Sequence, residues 1–354
     1  MTLSIERERW LGYRWRQHGL GGSLSQDALD DLLVLGLQAS RQSNGEHALS
    51  QRVARIGSTG LARAITPEGP LVSLWSVRGA PHAHRASQLD LVRDALAPLS
   101  TDDGGSKFVN AVQEVADAMG KIVTSKTAKG DVSQEVADSV SATLVQYCER
   151  CQARHVPDGL FRAAGRQAQL VIGPEEERAT MLYPRPQVQQ EQVEHPREHL
   201  LRAYFRVNGP TSRTHYCDWQ QVGTTGVGEL WDELGDHLVR VQVDGKRFDV
   251  PESLVESVQR AEPAEGVALV PPNDPYLRQT DRALLVPDST RRKKVFKALS
   301  GPGALLVDGE IAGTWRYRRS DSEVSIEAFG KLGSDHPSAA ERAATAGCYL
   351  DRGR

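Results

Sequence analysis

PREHLLRAYFRVNGPTSRTHYCDWQQVGTTGVGELWDELGDHLVRVQVDGKRFDV, residues 196–250, is the stretch on which the fold reading turns. It predicts a helix over 197–207, a break at Asn208-Gly-Pro, a helix over 211–220 and a third over 225–234. Strands over 238–243 and 246–250 then flank an Asp-Gly turn, the strongest short hairpin signal. Three short helices closed by such a hairpin are the winged form of the helix-turn-helix unit. A Gln- and Glu-rich linker, 187–195, precedes it. Upstream, 129–185 repeats a smaller version: a helix over 133–147, a polar break, a short helix over 157–165, and strands at 169–172 and 179–183 around an acidic turn. The N-terminal part opens with helices over 7–18, 26–37 and 47–56. The second of these is capped by Ser25, with Ala28, Leu29, Leu32, Leu33 and Leu37 at helical spacing. A strand over 71–77 and helices over 88–96 and 108–123 follow. From 267 the chain alternates short strands with Pro and Gly turns.

The expected class is therefore α+β: tandem winged-helix domains followed by a small C-terminal β-barrel-like domain. The boundaries are 1–127, 128–187 and 195–262 for the helical units, 267–335 for the β-rich domain and 336–354 for a tail. A length of 354 residues suits several domains. With 39% hydrophobic and 25% charged residues, the composition excludes collagen, coiled coil and wholesale disorder. No apolar run is long enough to cross a bilayer, and the N-terminus breaks into charge before a signal-peptide core forms, so no membrane partner and a cytoplasmic setting are expected. Four cysteines are too few for a disulfide framework. The absence of a P-loop or dinucleotide fingerprint implies no nucleotide, flavin or other cofactor. A monomer is expected.

Net charge is −3, so nucleic-acid binding requires a local patch. Of 43 basic residues 34 are Arg, whose planar forks suit phosphate and guanine edges, although a GC-rich genome produces the same bias. The helix over 225–234 carries Glu229, Asp232 and Glu233 with no Lys or Arg, and its exposed face repels phosphate. Arg162 and Arg166 have the right sign. Arg291, Arg292, Lys293 and Lys294 with Lys297, and Arg316, Arg318 and Arg319, concentrate charge near the C-terminus; a solvated surface explains such runs equally well. In Arg78-Gly-Ala-Pro-His-Ala-His-Arg85, Gly and Pro predict a turn after a strand that displays His82, His84 and Arg85 on one loop. That loop contacts DNA or serves only its own hydrogen bonding; no nearby Cys or carboxylate makes the two His a metal site. Cys148-x-x-Cys151 with His155 has zinc-like spacing, but a structural zinc takes four ligands, and Cys217 or His195 would have to come from the next domain. The reading is domain packing, with no metal. Redox use is disfavoured because no strand is expected before the pair.

Five blocks in order resemble the AlkZ/YcaQ-type winged-helix DNA glycosylase family. They are Leu35-Gly-Leu-Gln38 with Ala48-Leu-x-x-Arg52; Val77-Arg-Gly-Ala-Pro-His82; Cys148-x-x-Cys151-x-x-x-His155-Val-Pro-x-x-Leu160-Phe-Arg162; Asn273-Asp-Pro-Tyr276 with Asp281-Arg282; and Asp308-Gly-x-x-x-Gly313-Thr-Trp315. The resemblance implies three tandem winged helices and a C-terminal β-barrel around a concave channel for double-stranded DNA. It also implies an enzyme that hydrolyses the N-glycosidic bond of alkylated purines, in some members within interstrand crosslinks. The family's catalytic motif, a Gln, any residue, then Gln or Asp, falls on Gln38 and Ser40. Gln38 matches, and Ser40 departs from the pattern. An N7-alkylated guanine leaves as a neutral base, so the protein mainly positions water and stabilises charge on the sugar. Gln38 accepts from that water in this reading, with Ser40 on its other side. Two alternatives stand beside it: Gln38 merely ends its helix, and the chain is a non-catalytic DNA-binding module that kept the architecture without the chemistry.

Overall fold

The computed structural model describes residues 3–20, 24–53, 64–99, 103–278, 281–297, 301–318, 323–333, 336–337 and 340–341. Arg319, Cys348 and most of the expected 336–354 tail lie outside them, as does the end of the helix expected over 47–56. The chain forms two compact units, Met1–Arg63 with Leu200–Arg354, and Ala64–His199.

The first unit opens with β1 (Leu3–Ile5), α1 (Arg7–Gln17), α2 (Gln26–Leu35), β2 (Leu37–Gln38) and α3 (Gln42–Ser50). Ser25 caps α2, its hydroxyl accepting from the Ala28 N–H at 3.2 Å. The helix stops two residues earlier than its apolar spacing suggests. Gly36, at φ 85°, provides the backbone turn that sends the chain into β2.

In the second unit β3 (Leu71–Trp75) and β4 (Pro81–Arg85) form an antiparallel pair, followed by α4 (Leu89–Ala95). Next come α5 (Asp103–Ile122), β5 (Thr127–Ala128) and α6 (Lys129–Ser139). A hairpin of β6 (Gln146–Cys148) and β7 (Ala153–His155) leads to α7 (Asp158–Gln167) and then to β8 (Val171–Glu176) and β9 (Ala179–Tyr183). β5 pairs with β9, giving the sheet order β5-β9-β8. Val112, Val115, Met119, Val132, Val136, Leu160 and Phe161 form the core beneath. The helix expected over 133–147 is corrected: Val132 and Val136 are buried one turn apart, but Val140 is extended at φ −109°, ψ 167°, and the apolar residues beyond it lead into β6.

α8 (Pro196–Asn208) leads back to the first unit, where α9 (Arg213–Gln220) and α10 (Thr225–Glu233) precede the hairpin of β10 (Leu238–Val243) and β11 (Lys246–Pro251). Asp244 and Gly245 both take positive φ, 50° and 74°, as a tight hairpin turn requires. Thr211 bridges Asp249 on β11, and β1 adds parallel to β10. In 127–183 the short strand β5, and in 211–251 the single bridging residue Thr211, pairs with the second arm of a hairpin. α11 (Glu252–Gln259) packs on α1 and the β10–β11 hairpin, and α12 (Arg282–Leu285) and α13 (Ser289–Val295) pack together, α13 also on β14, beside the C-terminal strands β12 (Val267–Val270), β13 (Gly303–Val307), β14 (Glu310–Arg318) and β15 (Glu323–Ala328). Those strands form an antiparallel meander with β12 and β15 as its two edges, so among the described residues the expected barrel-like closure is an open sheet. Trp10, Leu11 and Tyr13 of α1 share one core with Val241, Phe248, Leu284 and Leu306.

Candidate active site

β2 decides how the motif residues face. In an extended backbone alternate side chains point the same way. Leu37 and Ala39 are buried in the core, whereas Gln38 is half-buried and Ser40 exposed. Their two-residue spacing therefore brings them together, and Gln38 Nε2 donates to Ser40 Oγ at 3.0 Å. Gln38 is on a strand beyond the end of α2, where a helix and loop were expected, and its amide reaches Ser40. From the other side Arg278 Nη2 donates to Gln38 Oε1 at 2.9 Å and to Asn273 Oδ1 at 2.7 Å. These contacts fix which end of the amide is oxygen, because a guanidinium can only donate. Sequence reasoning missed Arg278. It lies two residues past the quoted Asn273-Asp-Pro-Tyr276 block, and nothing in its spacing pairs it with a residue 240 positions earlier.

The block itself anchors this segment. Asp274 makes a two-pronged ion pair with Arg52, at 2.6 and 2.9 Å, with both side chains fully buried. The Asp274 carboxylate also accepts from the Tyr276 N–H at 2.9 Å. Arg14, likewise fully buried, donates to Asn208 Oδ1 at 2.8 Å and to the Tyr276 carbonyl at 2.7 Å, and lies over the Trp10 and Tyr276 rings. Burial lowers its pKa. His47 of α3 donates through Nε2 to the Leu269 carbonyl at 2.6 Å and packs on Trp315, whose indole donates to the Val270 carbonyl at 2.8 Å. Burial pulls His47 down to about 4, so it is neutral at pH 7. Within the first unit, then, three of the quoted blocks form one connected support beneath Gln38.

In the second unit the turn after β3 comes earlier than expected, at Val77–Gly79, with Arg78 at φ 59° and Gly79 at φ 65°. The chain returns immediately as β4. This corrects the expectation of a displayed loop: His82 and His84 are buried in the sheet, His82 Nδ1 bonding to the Ala80 carbonyl at 2.9 Å and His84 Nε2 to Ser76 Oγ at 2.9 Å. Arg78 is half-buried at the turn and Arg85 half-buried at the end of β4. Arg162 donates to the Gly79 carbonyl at 3.1 Å and pairs with Asp158 at 2.6 Å, which ties α7 to the turn. Arg166 is half-buried, and the desolvation of its guanidinium lowers its pKa to about 10.

The C-terminal basic residues share one neighbourhood. Lys294 pairs with Glu327 at 2.6 Å, Arg291 lies over the Phe329 ring, and Arg292 donates to the Val286 and Pro287 carbonyls at 2.8 and 3.0 Å. Lys293 is exposed; Arg316 is exposed on β14, where Arg318 pairs with Glu323. Carboxylates on β15 thus partly offset the basic run. Glu229, Asp232 and Glu233 are exposed on α10, as its sequence indicates. No helix among the described residues is long and apolar enough to cross a membrane.

Cys148, Cys151 and His155 come together on the β6–β7 hairpin, with their ligand atoms all within 4.8 Å of one another. The expectation that no strand precedes the pair is corrected, since β6 ends at Cys148. The Cys151 backbone N–H, with the His155 ring, draws the Cys148 thiol down to about 7, and the Val156 carbonyl raises the His155 pKa. Cys217 is buried on α9 in the first unit.

These features define an α+β protein with a clamped amide–hydroxyl pair and an open C-terminal sheet. Its fold is that of the Streptomyces sahachiroi DNA glycosylase AlkZ, which superposes with a TM-score of 0.75 over 98% of this chain and 97% of that one at 17% identity. An interstrand DNA cross-link repair glycosylase of the same organism is 26% identical over 137 residues, 37% of this chain and 36% of that protein, so the match spans about a third of the relative. The sequence profile described as DNA glycosylase AlkZ-like matches residues 32–348, and the chain belongs to that family.

Proposed function

We propose that the protein is a monofunctional DNA glycosylase that hydrolyses the N-glycosidic bond of alkylated purines in duplex DNA, crosslinked purines included. The observation that carries this reading is the Arg278–Gln38–Ser40 chain, a preset amide where the family's motif falls. A carbonyl oxygen has two lone pairs, so Gln38 Oε1 accepts a proton of the attacking water alongside Arg278. Ser40 Oγ, already accepting from Gln38 Nε2, takes the water's other side. Water oxygen bonds to C1′ of the sugar while the C1′–N9 electron pair passes to the alkylated guanine. The base leaves neutral, and the surplus proton goes to solvent. Protein chemistry is thus confined to orientation and charge stabilisation.

Two winged-helix units, 128–187 and 195–262, form the DNA-binding scaffold in this proposal, with 1–127 carrying the motif and 267–335 the basic C-terminal strands. Support comes from two helices followed by a β-hairpin in each, although 128–187 inserts the β6–β7 hairpin between its helices. Arg78, Arg291, Arg292, Lys293, Lys294, Arg316 and Arg318 supply phosphate contacts; the burial of His82 and His84 favours a supporting role for them. Incubation with duplex DNA containing 7-methylguanine should release free base. Gln38→Ala should cut the rate by about 10²-fold or more, the scale of losing one preorganised polar contact, while DNA affinity stays close to the parent's. Ser40, shorter than the family's amide, favours the second reading, a DNA-binding module without chemistry. In that case parent, Gln38→Ala and Ser40→Gln all bind duplex DNA and release nothing above background.

A further inference from the structure

The hairpin of β6 and β7 gathers three metal-ligating side chains on one face. In its register Cys148 stands opposite Ala153 and Gln146 opposite His155. Residues opposite each other in an antiparallel pair share a face, and so do alternate residues along each strand. Cys148 and His155 are therefore diagonal neighbours, with Ala153 and Gln146 at the other two corners of that face. Gln152, at φ 52°, makes the tight return that brings Cys151 back over the same face. The three ligand atoms lie within 4.8 Å of one another, the only such His, Cys, Asp or Glu group among the described residues.

The histidine is already arranged as a ligand. Its Nδ1 donates to the Val156 carbonyl at 2.8 Å, which fixes the tautomer and leaves the lone pair on Nε2. Metal-ligating histidines almost always donate their other ring N–H in this way. Nε2 itself is shielded from solvent and faces the Cys148 thiol rather than any backbone group. An imidazole nitrogen shielded from water and set beside two thiols has only a weak S–H partner there, and a metal ion is a stronger one. Cys148 is half-exposed and Cys151 exposed, so the trio opens to solvent on the thiol side.

We propose that Cys148, Cys151 and His155 bind one zinc ion, with water in the fourth tetrahedral position. The soft thiolates and the imidazole select zinc over the hard, oxygen-seeking cations. Binding replaces the two S–H bonds by Zn–S bonds, and two protons pass to solvent at most, fewer where a thiol is already ionised. The ion would pin the hairpin that lies between α6 and α7, independently of whether the protein releases bases.

The test uses the full-length protein, freed of metal by a chelator under reductant. Titration with Co²⁺ should give one equivalent per chain with a thiolate charge-transfer band, and Zn²⁺ should displace it. On the unmutated protein, Zn²⁺ should protect Cys148 and Cys151, but not Cys217, from alkylation read by mass spectrometry; this arm needs no variant to fold. Cys148→Ser and Cys151→Ser should each abolish the band, Cys217→Ala should keep it, and His155→Ala should lower affinity. Outer-shell partners alone are worth about 10- to 100-fold, so a direct ligand costs at least that much. A reduced protein that binds no Co²⁺, a band that survives Cys148→Ser, or alkylation of both thiols unchanged by Zn²⁺ overturns the proposal.

Discussion

Replacing Arg52 by Met should destabilise the first unit by about 3–5 kcal/mol, the cost of stripping one partner from a buried ion pair. Both side chains of the Arg52–Asp274 pair have zero exposure, and the bonds at 2.6 and 2.9 Å engage both carboxylate oxygens. After the substitution Asp274 keeps the Tyr276 N–H but loses the cation that offsets its buried charge. Removing both charges is a different perturbation. Arg52→Met with Asp274→Leu leaves no orphaned ion, and buried pairs replaced by apolar residues are often neutral or better. The double variant should therefore recover most of the loss. Urea unfolding followed by tryptophan fluorescence measures it, since Trp10, Trp15, Trp219, Trp231 and Trp315 report the first unit and Trp75 the second. Two units allow two transitions, and the shift should be confined to the one carried by the five tryptophans. A single variant costing less than about 1 kcal/mol, or a double variant costing the sum of the two singles, would show that the pair is not the anchor described above.

Arg278→Ala should slow base release by about 10- to 100-fold, because a hydrogen bond from a charged donor is worth about 1.5–3 kcal/mol; equal rates in a single-turnover assay would remove Arg278 from the site. Reversing Arg291, Arg292, Lys293 and Lys294 to Glu should weaken duplex binding and flatten its salt dependence; a fluorescence-anisotropy titration at two salt concentrations with unchanged slope would mark the run as a solvated face. Acid should destabilise the first unit through His47, whose pKa falls from 6.5 when unfolded to about 4 in its buried site. Below pH 6.5 the unfolded chain takes up a proton that the folded one refuses, so stability falls between about pH 6.5 and 4, by up to about 3 kcal/mol. Urea midpoints across that range should drop less in His47→Gln than in the parent.

Local signals were the legible ones. Ser25 before α2, the 3.6-residue spacing in that helix and Asp244-Gly245 between β10 and β11 each act over a few residues, so the sequence displays them directly. The His82 and His84 strand was misread because Gly79 and Pro81 both signal a turn, and only the positive φ of Arg78 and Gly79 shows that it is finished before Pro81. Past Ser139 an apolar run suits helix or strand alike; pairing with Ala153–His155 decides it. In the candidate site the family motif points to Gln38 and Ser40, but helix-end reasoning gave the wrong backbone beneath them. Arg52 with Asp274, and Gln38 with Arg278, are more than 200 positions apart, and such partnerships leave no trace in spacing.

The division of the chain has a consequence for synthesis. Arg7 of α1 donates to the carbonyl of Leu284, 277 positions later, and β1 waits for β10. Residues 64–199, by contrast, form a compact unit from one continuous stretch of chain. On the ribosome the middle of the polypeptide can therefore finish folding while Trp10, Leu11 and Tyr13 still lack the residues that cover them. The half of the candidate site translated early, Gln38 and Ser40, is left waiting for Arg278. A nascent chain arrested near residue 200 should carry a protease-resistant middle and a digestible N-terminal arm, with the arm as the segment chaperones would hold.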